Sequence, residues 1–209
     1  MRGIDKTVAP IGNMPMILRT VKALAAADRI TEILVITRED LIPVVWELCR
    51  EEPKLTAVVP GGSSRSESVL RGLERAKGEL VAIHDGARPF VTPEIIERTI
   101  AAVEEYDCAA PAIPVKDTIK VADKNVVRST PDRGSLFAVQ TPQVFYRTHI
   151  LNALLQGIKQ GLSLTDDCSA AEAAGMRVVL TEGSEENIKI TTPMDLILGE
   201  AILQRRSGT

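Results

Sequence analysis

The chain is poor in the residues that build disulfide frames and histidine-rich metal centres. Of 209 residues only three are cysteine and two are histidine, and aromatics make up 3%. Cys49, Cys108 and Cys168 are odd in number, widely spaced and without a CxxC pair, which excludes a disulfide frame or zinc site. They read as reduced, mostly buried thiols. His84 and His149 are too few for a histidine-based metal centre. A net charge of −3 offers no global field for nucleic acid or an anionic membrane. Any anionic ligand must therefore be caught by local groups. No apolar run approaches a membrane span and the first residues lack a signal-peptide pattern, so the expectation is a cytoplasmic protein. The length suits one domain with a full core, taken as residues 1–209.

What is present is an alternation of strand and helix signals. Met16 to Asp28 carries Ile17, Val21 and Leu24 at helical spacing, and Ile33 to Ile36 is a short apolar strand. Leu41 to Glu52 predicts a helix with Pro43 in its first turn. Thr56 to Val59 is a strand that runs into Pro60-Gly61-Gly62, after which Ser63 or Ser64 caps a helix. The strand Leu80–Ile83 and a helix opened by Thr92-Pro93-Glu94 follow. All-apolar strands between helices predict an α/β fold, a mostly parallel sheet covered on both faces.

Residues 113–139 break the rhythm. Asp117 to Val121 and Val126 to Thr130 alternate as two strands joined through Asp123-Lys124-Asn125, a hairpin. A projecting hairpin cannot bury two faces alone, so it packs either on a second subunit or as an edge of the same sheet. Helices are then expected over Thr148–Gln160 and after a cap at Thr165 or Asp166, with strands at Val178–Leu180 and Asn187–Thr191. Thr192-Pro193-Met194-Asp195 opens the last helix.

Three strings carry chemistry. In the first, Leu80–Ile83 delivers His84, Asp85, Gly86 and Arg88 to a strand end, where open α/β sheets bind ligands. Asp85 suits a metal or a hydroxyl, and the fixed fork of Arg88 suits a phosphate or carboxylate. Alternatively Asp85 and Arg88 simply pair with each other. In the second, Gly61-Gly62-Ser63-Ser64 precedes a helix, so free N–H groups there favour an anion or the edge of a base. A plain capped loop is the competing reading. In the third, Asn187-Ile188-Lys189-Ile190-Thr191 sets Lys189 opposite two isoleucines, as a site cation or a solvent-facing lysine. The polar interruption Gln140-Thr141-Pro142-Gln143 is too specific for packing alone, though it names no reaction.

Together these strings resemble one family. V-V-P-G-G-x-x-R-x-x-S-V-x-x-G-L, H-D-x-A-R-P-F, P-V-x-D-T-I-K, Q-T-P-Q-x-F, T-D-D-x-S-A and E-N-I-K-I-T-x-P occur in order from residue 58 to residue 193. This resembles 2-C-methyl-D-erythritol 4-phosphate cytidylyltransferase, which joins CTP to methylerythritol phosphate with a divalent metal such as Mg²⁺ and releases pyrophosphate. The resemblance implies a Rossmann-like three-layer sandwich whose hairpin arm makes a homodimer. It implies that Gly62, Ser63 and Ser68 hold the cytosine. Asp85 and Gly86 would lie between nucleotide and sugar phosphate, with Asp85 as the metal ligand. Thr118, Arg133 and Thr141 would receive the sugar phosphate, Arg133 reaching into the partner's site and Arg88 helping to orient the substrate. Lys6 and Lys189 would neutralise charge on the phosphates.

The chain departs from the family pattern in three places. Ser63 stands where relatives often have an acid, so the base contact there passes to backbone or water. Gly86 stands where many have alanine. The family also opens with a strand and a glycine-rich loop, roughly A-A-G-x-G-x-R-M, whereas Met1 to Lys6 resembles the segment just after that loop. Either translation starts upstream and the natural protein is longer and active, or the shorter chain stands alone. For the 209-residue form the expectation is unpaired strand edges, reduced stability and weak CTP binding. Two other readings stand beside the main one: a ribitol 5-phosphate cytidylyltransferase, and a non-catalytic remnant that still dimerises.

Overall fold

A computed structural model describes residues 6–208. In chain order, a turn at Lys6–Val8 leads to a small ribbon, β1 (Pro10–Ile11) with β2 (Met14–Pro15), and then α1 (Met16–Ala25). Next come β3 (Ile33–Thr37), α2 (Ile42–Cys49), β4 (Leu55–Pro60), α3 (Arg65–Arg75), β5 (Leu80–Ile83) and α4 (Pro93–Ala102). After β6 (Cys108–Pro114) the arm carries β7 (Val121–Asp123) and β8 (Val126–Ser129), and β9 (Phe137–Val139) leads back. β10 (Gln143–Tyr146), α5 (Arg147–Lys159), α6 (Asp167–Ala173), β11 (Val178–Glu182) and α7 (Pro193–Ser207) complete it. None of the described helices is long and apolar enough to cross a membrane.

The local signals act as their chemistry requires. Ser64 caps α3 by accepting the Glu67 N–H, and Asp166 and Thr192 form capping boxes at α6 and α7. Lys124 and Asn125 both take positive φ, the backbone twist that a two-residue hairpin turn demands. The cysteines are free and buried, and burial pushes the thiols of Cys49 and Cys108 up to about 11.

The main sheet has the order β11-β6-β10-β5, with β9 also paired on β6. Helices cover both faces, as expected. Phe145 points to one face with Leu73, Ile150 and Leu154, while its neighbour Val144 points to the other with Ile95, Ile96 and Ile100. The sheet is mixed. β6 and β11 are parallel, but β10 runs antiparallel to both β5 and β6. The arm leaves from the end of β6 and β9 returns antiparallel along it. The chain therefore re-enters at the carboxyl edge, and β10 can only run back down between β5 and β6.

β3 and β4 form a separate parallel pair. Between β3 and β5 lies a cavity of about 410 Å³ lined by the whole length of both strands. It runs from Arg29 and Gly78 at one end to Thr37, Ser68, Asp85 and Gly86 at the other. Among the described residues no strand pairs with these two edges.

Two expected strands differ. Asp117–Lys120 is exposed and forms no ladder, and the hairpin starts at Val121. Every residue of β7 and β8 is exposed. Asn187–Thr191 is irregular chain, not a strand: its backbone bonds to the turn after β5, Ile190 N to Ala87 O at 2.8 Å, instead of to a ladder.

Candidate active site

The carboxyl edge of β5 gathers the charged groups. Asp85 and Arg88 close a turn through Arg88 N to Asp85 O at 3.0 Å. The Asp85 carboxylate accepts from Lys189 Nζ at 3.0 Å and Arg88 Nε at 3.3 Å through the same oxygen, Oδ2. Burial opposes ionisation of Asp85, but the Lys189 hydrogen bond and the charges of Lys189, Arg88 and Arg65 outweigh it. The carboxyl is held below its usual range. Arg88 also donates to Asn187 O at 2.8 Å, which ties the turn to the segment that carries Lys189. Lys189 faces outward between Ile188 and buried Ile190 even without a strand. Asp85 and Arg88 do pair, and Lys189 joins them.

His84 is an internal brace. Its Nε2 lies 3.0 Å from Arg88 O, which can only accept, so Nε2 carries the proton. Nδ1 then accepts from the Thr141 hydroxyl at 3.1 Å, and that hydroxyl oxygen accepts the Asp85 N–H at 3.1 Å. Burial pulls the His84 pKa down to about 4, so it is neutral at physiological pH with no free lone pair for base chemistry. The unfolded chain takes up this proton below about 6.5, whereas the folded chain resists until about 4. Stability is therefore expected to be full above pH 6.5 and to fall as pH drops from 6.5 toward 4. Melting temperatures at pH 7.5 and 5 for the wild type and His84→Gln check this. An unchanged acid sensitivity in the variant would contradict it.

The loop after β4 is equally ordered. Gly62 N donates to Ser68 Oγ at 3.0 Å, and Ser68 Oγ donates to Ser64 O at 2.8 Å. Ser63 donates to Glu67 Oε2 twice, from its N–H at 2.8 Å and its hydroxyl at 2.7 Å. A Cβ on Gly62 would lie 2.4 Å from the Glu67 Cβ, so glycine alone fits there. Ser68, Asp85 and Gly86 line the same cavity.

Behind this loop Arg65 forks onto the fully buried Asp167 at 2.9 and 2.7 Å. Burial lifts the Asp167 carboxyl above its ordinary value, and the fork opposes that. Arg65→Ala leaves a buried carboxylate unpaired and is expected to cost about 3 kcal/mol. Urea unfolding of the variant measures it, and a loss below about 1 kcal/mol would show that the pair carries little.

Several of these residues are missing from the sequence reading. Gln140, Gln143, Asn187, Arg65 and Asp167 hold the site together. Gln140 bonds both the N–H and the carbonyl of Ser184, and Asn187 donates to Thr141 O at 2.9 Å. Gln143 accepts the N–H groups of Asp167 and Cys168 and donates to Asp166. Each lies within one of the ordered strings that carry the family resemblance, but no local pattern shows which partner it bonds.

Not all expected residues converge. Asp85, Gly86, Arg88, Thr141 and Lys189 are one cluster, and Gly62, Ser63 and Ser68 sit on the adjoining loop. Thr141 is buried, with its hydroxyl committed to His84 and Asp85. Thr118 and Arg133 are on the exposed arm, where Arg133 donates to Lys116 O at 3.0 Å. No described hydrogen bond or ion pair joins either to Asp85 or Lys189. Lys6 opens the first turn, and its side chain lies outside the described residues, as does the segment Met1–Asp5.

The comparisons with known proteins agree with the geometry. The family described as "IspD: 2-C-methyl-D-erythritol 4-phosphate cytidylyltransferase" matches residues 1–205. The chain belongs to this family. A 2-C-methyl-D-erythritol 4-phosphate cytidylyltransferase of Syntrophotalea carbinolica is 41% identical, over 96% of this chain and 88% of the relative. One from Caldanaerobacter subterraneus is 41% identical over 98% and 92%. Among solved structures, the cytidylyltransferase from Thermus thermophilus superposes with a TM-score of 0.82 at 31% identity, covering 95% of this chain and 94% of that one. The 4-diphosphocytidyl-2C-methyl-D-erythritol synthase from Anaerococcus prevotii gives 0.87 at 29% identity, covering 93% and 88%. The chain is thus a nucleotidyltransferase of the cytidylyltransferase family, with the family's α/β fold.

A divalent cation has a limited foothold. The described residues contain no group of three or more histidine, cysteine or acidic side chains that converge for a metal. Among the described residues Asp85 is the carboxylate at the edge of β5, with Oδ2 shared by two cations. That suits Mg²⁺ arriving with nucleotide phosphates, since Mg²⁺ needs only one or two protein carboxylates and keeps several waters.

Proposed function

We infer that this chain transfers a cytidylyl group from CTP to 2-C-methyl-D-erythritol 4-phosphate, giving 4-diphosphocytidyl-2-C-methyl-D-erythritol and pyrophosphate. The observation that carries the reading is the convergence of Lys189 and Arg88 on Asp85, beside the Gly62–Ser68 loop, in a chain of this family. The relatives' names favour the methylerythritol substrate over ribitol 5-phosphate. Residues 1–209 act as one nucleotidyltransferase domain in this reading.

A phosphate oxygen of the sugar phosphate attacks the α-phosphorus of CTP, and the bond to the β-phosphate bridging oxygen breaks as pyrophosphate leaves. The attacking phosphate is already ionised, so no general base is needed, in keeping with a neutral, fully bonded His84. Positioning and cations lower the barrier. Gly62, Ser63 and Ser68 shape the loop that receives the base, with the Gly62 N–H and the Ser63 and Ser68 donors spent in holding that loop. Lys189 and Lys6 neutralise charge on the phosphates, Asp85 holds Lys189 in place, and Arg88 orients the sugar phosphate with Thr141 as its brace. Mg²⁺, held by Asp85, supplies charge neutralisation when bound.

Thr118 and Arg133 belong to this site through a second subunit. The arm leaves Val121, Val126, Val127 and Phe137 exposed, a surface that a homodimer would cover. Mixing Arg133→Ala and Lys189→Ala subunits tests the shared site: mixed dimers should regain part of the activity that each parent lacks. No recovery would place Arg133 outside the site. Three buried free thiols fit a reducing compartment, the cytoplasm.

The deciding assay is pyrophosphate release from CTP with methylerythritol phosphate against ribitol 5-phosphate. Release only with ribitol phosphate would move the assignment, and release with neither would favour the remnant.

A further inference from the structure

A cytidylyltransferase must tell cytosine from uracil, which differ on the pairing edge in an amine that donates against a carbonyl that accepts. Selecting the amine calls for an acceptor that uracil would leave unpaired, and a carboxylate serves because it can only accept. The carboxylates near the open edge are mostly committed. Asp85 is held by Lys189 and Arg88, Asp167 by the two-pronged Arg65 fork, and Asp166 by Gln143 and its own helix cap. Glu67 differs. Its Oε2 takes both Ser63 donors, whereas no described residue bonds Oε1. The side chain is exposed, packs against Gly62 and stays ionised, because the Ser63 hydrogen bonds, with the nearby Arg71 charge, hold its pKa below the ordinary value.

We propose that Glu67 reads the base: Ser63 fixes its carboxylate at the mouth of the Gly62 loop, and Oε1 accepts an N–H of the cytosine exocyclic amine. Glu67 is then the residue that selects CTP over UTP, and Ser63 is its positioning residue. This rests on the cytidylyl-transfer reading above and adds the group that makes the choice.

The test is Glu67→Gln, assayed for kcat/KM with CTP and with UTP and for binding of each nucleotide by calorimetry. The amide oxygen can keep the Ser63 bonds, while the amide nitrogen can donate to the uracil carbonyl. The CTP:UTP preference should fall by about tenfold or more, through KM and Kd, with little change in melting temperature. Ser63→Ala should lose a smaller part of the preference. If Glu67 only braces the loop, Glu67→Gln leaves the ratio unchanged, and the proposal is overturned. A wild type that handles CTP and UTP equally also overturns it, while the transfer reading survives. A wild type that neither binds nor uses CTP removes the transfer reading itself, and this proposal with it.

Discussion

Lys189→Ala is expected to lower kcat by about 100-fold or more while shifting the melting temperature by no more than about 2 °C. The two effects separate because of where Lys189 sits. It lies in irregular chain, its side chain is 45% exposed, and its one ion-pair partner among the described residues is the Asp85 carboxylate. That carboxylate keeps Arg88 when the lysine is lost. Charge that develops on the phosphates during transfer has no such substitute, and a cation fixed beside it acts without reorganising at the moment of reaction. Steady-state pyrophosphate release with saturating CTP, alongside a thermal melt, checks both halves. Turnover near that of the wild type would remove Lys189 from the mechanism. A collapsed melt would show that the Lys189–Asp85 contact is structural first.

The second large effect concerns the cavity between β3 and β5. A version of the chain carrying, ahead of Met1, an apolar strand and a loop of the A-A-G-x-G-x-R-M type is expected to melt about 10 °C higher and bind CTP at least about tenfold tighter. An inserted strand would pair with two open edges and bury about five side chains, each worth about 1.5–3 kcal/mol before the entropy of ordering it. The loop would add backbone N–H groups at the end where Ser68 and Asp85 already sit, and such groups bind phosphates. Hydrogen exchange should slow at the amides of Ile33–Thr37 and Leu80–Ile83 in the longer form. Equal melting and equal CTP affinity in the two forms would mean that the cavity is not a strand site.

The site was unevenly legible in the sequence. Asp85 and Arg88 could be found because they end an apolar strand, and strand ends are where such sheets bind. Lys189 was found for a partly mistaken reason. The alternation of Ile188, Lys189 and Ile190 does send the lysine outward, yet the segment bonds to the turn after β5 instead of joining the sheet. Gln140, Gln143 and Asn187 could not be assigned, since each acts only through partners far away in the chain. Thr141 was assigned to substrate, and the structure commits its hydroxyl to His84 and Asp85.

The sequence by itself determined most of the helices, the strands β3 to β5, the caps at α6 and α7, the hairpin turn, the buried thiols and the family. All of these depend on a few neighbouring residues or on ordered strings that survive without knowledge of distance. Only the tertiary structure decided that β10 runs against its neighbours, that the open edges belong to β3 and β5, and that two cations share one oxygen of Asp85. Those facts depend on which edges and loops meet when layers pack, and that contact geometry is not written in any local stretch of chain.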